Sequence, residues 1–309
     1  MQTTLAAPVT VMGVGLHSGR PARVILRPAK AGTGIVFRRT DVTDRDPVVP
    51  ALWDRVAVSP LNTRIVNAAG TSVSTIEHLM AALSGTGVHN ARIGIEGPEV
   101  PILDGSAAPW VRAILGAGVA PLVAPLRVIE VMRPVEVRDG AALARLEPSP
   151  VPEMSFSIDF LDAAIGRQDK ALTLANGAFV RELCDSRTFC READVESMRA
   201  QGLALGGTYM NAVVVDGARV LTPGGLRHPD EAVRHKMLDA LGDLSTAGAP
   251  ILGRYVGVRS GHAMTNRLLR ALFAEEGAWR LATCDEAMLA RLPGAGVGPA
   301  DLADLPAVA

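Results

Sequence analysis

The stretch VRHKMLDALGDL, residues 233–244, sets a histidine, a lysine and two aspartates inside a run whose apolar residues recur at helical spacing. Each step along a helix turns a side chain by about 100°. With His235 at zero, Asp239 falls at about 40°, Asp243 at about 80° and Lys236 at about 100°, whereas Val233, Met237, Ala240, Leu241 and Leu244 gather at roughly 140–240°. The polar groups therefore share one face. His235 and Asp239 stand at i and i+4, close enough for both to reach one metal ion. A helix with a solvated face has the same pattern, with Asp239 merely paired to Lys236. The metal reading needs a third ligand.

STIEHLMAALSG offers one. Ile76, Leu79, Met80 and Leu83 form its apolar stripe, and His78 points the other way. Ser74 is the expected N-cap and Gly85 lies near the helix end. Two histidines and one aspartate leave a coordination position open for water, as a catalytic zinc requires; the same set also holds iron(II). Glu77 is then placed to take a proton from that water. The alternative is a capping box over residues 74–77, in which Glu77 folds back on the helix start.

These two helices organise the rest of the chain. EHLMAAL followed by NARIGIEG loosely mirrors RHKMLDALGDL followed by GRYVGVRS, which points to two related α/β halves facing one another. TTLAAPVTVMG, PARVILRPA and GIVFRRT read as strands, the last with a partner near DRVAVS. The loop GVGLHSG has the glycines of a dinucleotide loop, but a strand pattern resumes too soon after it to supply the required helix. Prolines in VAPLVAPLRV mark the boundary between halves. Helices are expected near 174–184 and 191–201, and the residues from about Pro293 read as a tail.

Composition narrows the class. The chain has 309 residues, 48% of them hydrophobic, enough for two ordinary cores. With 31 basic and 32 acidic residues and no long block of either sign, it has no general electrostatic reason to bind nucleic acid. Its three cysteines do not have zinc-knuckle spacing and fit a reducing compartment. No run of about 18 apolar residues and no signal-like N-terminus is present, so a cytoplasmic location is expected.

Two further stretches carry candidate groups. RSGHAM puts His262 between a strand and a helix, either as an ordinary surface histidine or as a charged acid oriented by Asp243. SRTF supplies Thr188, whose hydroxyl either caps a turn or donates to an oxyanion. The rival readings of the whole cluster are a ferrous oxygenase and a metal-stabilised contact without catalysis.

Taken in order, GVGLHSG, STIEHLMAAL, PEVPILDGSAAPWV, SRTF, GLALGGT, VRHKMLDALGDL and SGHAMTNRLL closely resemble the bacterial UDP-3-O-acyl-N-acetylglucosamine deacetylases, zinc hydrolases of lipid A biosynthesis in Gram-negative bacteria. The resemblance runs from near residue 3 to about residue 285. It implies an α+β fold of two similar two-layer α/β domains, residues 1–122 and 127–285, whose helices pack together between outer sheets, with small inserted elements and a tail at 286–309. It implies one catalytic Zn²⁺ on His78, His235 and Asp239, with Glu77 as the base that activates water. His262, supported by Asp243, would serve the charged intermediate and leaving amine, and Thr188 and Lys236 would stand around the acetyl carbonyl. The implied partner is a UDP-linked acylated amino sugar, whose amphipathic character would bring a monomeric enzyme transiently to a membrane surface.

The family's inserted acyl passage corresponds to about residues 190–215, with Leu203, Leu205, Tyr209 and Met210 as apolar groups. Two stretches depart from the family pattern. SRTF continues with Cys190 and Arg191 where relatives often have Gly and Phe, and SIDF continues with LDAAIG, including Asp162, Ala163 and Ala164, where relatives commonly have Asn-His-Pro or Asp-His-Pro.

Overall fold

The computed structural model describes residues 1–59 and 61–305. Its first half contains a five-stranded sheet built from β1 (Val9–Val14), β2 (Pro21–Pro28), β3 (Ile35–Arg39), β4 (Val48–Pro50) and β5 (Ala91–Glu96), in the order β1-β2-β5-β3-β4. The second half repeats it with β6 (Val135–Asp139), β7 (Ala142–Glu147), β8 (Glu153–Asp159), β9 (Arg167–Thr173) and β10 (Arg254–Val258), in the order β6-β7-β10-β8-β9. The pairing sense repeats too. β5 is antiparallel to β2 and parallel to β3, as β10 is antiparallel to β7 and parallel to β8.

Each sheet carries helices at matching points of the chain. α1 (Glu77–Gly85) precedes β5 and α2 (Ala108–Ala117) follows it; α3 (Glu231–Leu244) precedes β10 and α4 (His262–Ala274) follows it. The apolar faces of the strands, such as Val24, Leu26, Ile93 and Ile95 in the first half, are fully buried beneath these helices. α1 and α3 pack directly on one another between the sheets. Gly242 makes this possible, because a Cβ there would lie 2.0 Å from the Glu77 carbonyl oxygen.

Two small three-stranded sheets interrupt the repeat. Val56–Ala57, Arg64–Val66 and Ser72–Val73 form one ahead of α1; Phe189–Arg191, Val213–Asp216 and Arg219–Val220 form the other, with the helix Glu192–Ala200 beside it. The expected strand near DRVAVS belongs to the first of these. β3 pairs instead with β4, whose three residues are too few to show a period-two pattern in the sequence.

Of the tail expected at 286–309, residues 286–305 are docked, not trailing, and 306–309 lie outside the described residues. Glu286–Leu289 is helical, Pro299–Asp304 is a 3₁₀ turn, and Leu292 and Leu305 are buried. Gly294 lies against Gly87, and Arg181 pairs with Asp301 at 3.0 Å.

Candidate metal centre

The metal-ligand candidates meet where α1 crosses α3. His78 sits on the first turn of α1, and His235 and Asp239 are one turn apart on α3. Asp239 Oδ1 lies 3.3 Å from His235 Nε2 and 3.5 Å from His78 Nε2, and the three prospective ligand atoms are within 4.8 Å of one another. Ligands about 2.0–2.1 Å from a tetrahedral ion are themselves separated by about 3.4 Å. Asp239 Oδ1 is buried without a hydrogen-bond partner, an orphaned acceptor facing two imidazole nitrogens. These donors therefore fit a single zinc ion.

The surrounding bonds prepare each ligand. His235 Nδ1 donates to the Ser186 carbonyl at 3.0 Å, which directs the Nε2 lone pair toward Asp239. Burial lowers the His235 pKa to about 4, so the ring stays neutral. Asp239 Oδ2 accepts from Lys236 Nζ at 2.8 Å. Burial alone would raise the Asp239 carboxyl, but the facing imidazoles and the Lys236 ammonium outweigh it and hold the group well below its ordinary range. Burial likewise disfavours the Lys236 ammonium, and the Asp239 charge and hydrogen bond reverse that effect, leaving its pKa raised.

Beside the prospective ligands stand a carboxyl, Glu77, and an imidazole, His262. Glu77 is buried, which raises its pKa to about 7 against the opposing charge of His262. Its Oε2 accepts the Thr63 backbone N–H at 3.0 Å, and its Oε1 lies 4.0 Å from His262 Nε2. Glu77 thus turns toward His262 and does not close a capping box. Nor does Ser74 cap the helix. It bridges Glu99 on a neighbouring strand segment, and the N-cap residue is Ile76, with no side-chain cap. His262 Nδ1 contacts Asp243 Oδ2 at 2.9 Å. Burial lowers the His262 pKa, but the charge and hydrogen bond of Asp243, with Glu77 and Asp239 behind them, raise it to about 9.

His262 Nε2 also lies 4.0 Å from Asp239 Oδ2, so all the expected site residues except Thr188 fall in one connected cluster. Thr188 lies between Ser186, which receives His235, and Phe189, whose ring meets the His235 ring edge-on at 6.3 Å. Its backbone is fixed on both sides, the N–H donating to the Gly105 carbonyl at 2.8 Å and the carbonyl accepting from Val213 at 2.7 Å. A cavity of about 720 Å³, lined by Met80, Leu83, Leu241, Leu244 and Tyr255 among others, contains none of the site residues.

Three participants escape sequence reasoning. Ser186 acts through a carbonyl and Thr63 partly through an N–H, and backbone groups leave no trace in residue type. The third is the loop GVGLHSG. The N–H groups of His17 and Ser18 hold the Glu99 carboxylate at 2.9 and 2.7 Å, so its glycines shape a cradle for a side chain and not for a phosphate. The two departures from the family pattern meet in space. Arg191 pairs with Asp162, whose other oxygen accepts the Gly217 N–H at 3.0 Å.

The family model described as LpxC, UDP-3-O-acyl N-acetylglycosamine deacetylase, matches residues 2–274. A UDP-3-O-acyl-N-acetylglucosamine deacetylase of Phenylobacterium zucineum (strain HLK1) is 51% identical over 285 residues, covering 92% of this chain and 97% of its own. Proteins of the same name from Anaeromyxobacter dehalogenans (strain 2CP-C) and Shewanella loihica (strain ATCC BAA-1088 / PV-4) are 45% and 44% identical, over 100% and 92% of this chain and 96% and 94% of theirs.

Proposed function

The chain belongs to the UDP-3-O-acyl-N-acetylglucosamine deacetylase family, and from that premise we propose how its residues divide the work. The enzyme is a zinc-dependent amide hydrolase that removes the N-acetyl group of UDP-3-O-(3-hydroxyacyl)-N-acetylglucosamine, giving the free amine and acetate, in lipid A biosynthesis. The observation that carries this reading is the orphaned Asp239 Oδ1 between two imidazole nitrogens, with Glu77 and His262 facing each other beside it.

His78, His235 and Asp239 hold the ion, which when bound supplies Lewis-acid activation of water and of the acetyl carbonyl. Glu77 takes the proton of the attacking water on its carboxylate. A base with a pKa near 7 suits this duty, because it is substantially ionised at neutral pH and still a competent acceptor. His262 is kept protonated by Asp243 and presents Nε2 to the same space, where it stabilises developing negative charge and serves the leaving nitrogen. The Thr188 hydroxyl donates to the oxyanion, and Lys236 adds positive charge while orienting Asp239.

Residues 1–122 form one domain and 127–285 the other, with the passage for the acyl chain in the insert at about 190–215. Exposed Leu205, Tyr209 and Met210 in that insert support the passage. Among the described residues no helix is long and apolar enough to cross a membrane. We take the enzyme to be a cytoplasmic monomer that does not bind nucleic acid and meets a membrane surface only transiently.

The test is acetate release from UDP-3-O-(3-hydroxyacyl)-N-acetylglucosamine by metal-stripped protein, before and after one equivalent of zinc. Zinc restores turnover. Iron(II) is the alternative occupant of the same donor set and is run in parallel; no release with either metal by folded protein would reject the assignment.

A further inference from the structure

We propose that Thr63 is the positioning residue that holds the base and the acid of the reaction against one another across the two halves. The inference rests on the deacetylase reading above. Thr63 is buried, 3% exposed, just before the second strand of the small sheet ahead of α1. Three hydrogen bonds converge on it. Its carbonyl accepts the Ile76 N–H at 3.3 Å, its own N–H donates to Glu77 Oε2 at 3.0 Å, and its hydroxyl donates to Asp243 Oδ1.

The direction of the last bond follows from the chemistry of the pair. An ionised carboxylate only accepts, so the single hydroxyl proton of Thr63 is committed to Asp243. Oδ2 of the same carboxylate is left for His262 Nδ1 at 2.9 Å. Two donors, one on each oxygen, fix the plane of the Asp243 carboxylate and with it the imidazole ring. One small residue of the first half therefore sets Glu77 directly and His262 through Asp243, and the two reacting groups end 4.0 Å apart.

Thr63 is itself braced from behind. Its neighbour Asn62 donates to Thr75 Oγ1 at 3.0 Å, and Thr75 Oγ1 donates to Glu99 Oε1 at 2.8 Å. Thr75 has φ 57°, a conformation that a β-branched residue rarely adopts. These side-chain bonds hold the turn that delivers Glu77 to the start of α1.

The discriminating variant is Thr63→Val, which keeps the shape and the backbone N–H but removes the hydroxyl. We expect kcat for acetate release to fall about tenfold or more, with KM within about twofold and zinc content unchanged, as loss of a hydrogen bond to a charged group implies. Thr63→Ser should restore kcat to within about threefold. In an Asp243→Ala background, Thr63→Val should cost less than about twofold, because the path it acts through is gone. Wild-type kcat in Thr63→Val, failure of serine to rescue, or the same fold-loss in both backgrounds would each overturn the proposal.

A second readout does not require turnover. The His262 Nδ1–H proton resonance of zinc-loaded protein should move in Thr63→Val and stay in place in Thr63→Ser; an unmoved resonance overturns the inference. Absence of acetate release by the wild type would instead remove the deacetylase reading, and the resonance would then decide the role of Thr63 alone.

Discussion

The two halves lay down the same five-strand sheet with the same flanking helices, yet α1 and α3 contribute to the site in different ways. α1 places Glu77 and His78 on its first turn, where their directions are set by the strained turn at Thr75 and by Thr63. α3 places His235, Lys236, Asp239 and Asp243 along two turns, where helical periodicity alone brings them to one face. One half positions chemistry by how a helix begins, the other by how it repeats. Perturbations of the first should therefore be local, and those of the second should spread along the helix.

The largest expected effect tests whether the halves truly share one ion. Replacing either His78 or His235 with Ala should abolish zinc retention and turnover together. Metal analysis of each purified variant checks this, and a variant that keeps its zinc would assign the ion to the other half alone. Next in size is Glu77→Gln. It should lower acetate release by about a hundredfold or more while zinc content and thermal midpoint stay near wild type. Turnover equal to wild type would take the base role away from α1.

A smaller effect should separate acid from base by pH. In the proposed role His262 acts only while protonated, so kcat/KM should fall as pH rises through its raised value of about 9. Asp243→Asn removes the charge that raises it, and the alkaline limb should move toward neutral pH. The acid limb follows ionisation of Glu77 on α1, to which the Asp243 charge makes only a small raising contribution, and should move less, toward lower pH. A pH–rate profile of the variant beside wild type checks both limbs. The last effect is read in stability: Gly242→Ala pushes a methyl group onto the Glu77 carbonyl and should cost about 3 kcal/mol by overpacking. Thermal unfolding of the zinc-loaded protein measures it.

The same contrast explains what was legible in the sequence. The α3 face was readable because a 100° step converts sequence spacing directly into direction. The repeat of the halves was faintly readable in EHLMAAL and RHKMLDAL, since both helices bury the same stripe against equivalent strands. The start of α1 was not. STIE satisfies the pattern of a capping box, and only tertiary contacts with Thr63 and His262 turn Glu77 away from the helix end. β4 is too short to declare itself, and the docking of residues 286–305 depends on Gly87 and Arg181, far away in the sequence.

An ion held by His78 from one half and by His235 and Asp239 from the other is also a cross-link. By linkage, its binding free energy adds to the free energy that docks the halves, because neither half alone offers the complete ligand set. Chelation should then do more than stop turnover. It should loosen the joint between α1 and α3 ahead of either sheet, and amide exchange along the two helices should quicken while β2 and β7 remain protected.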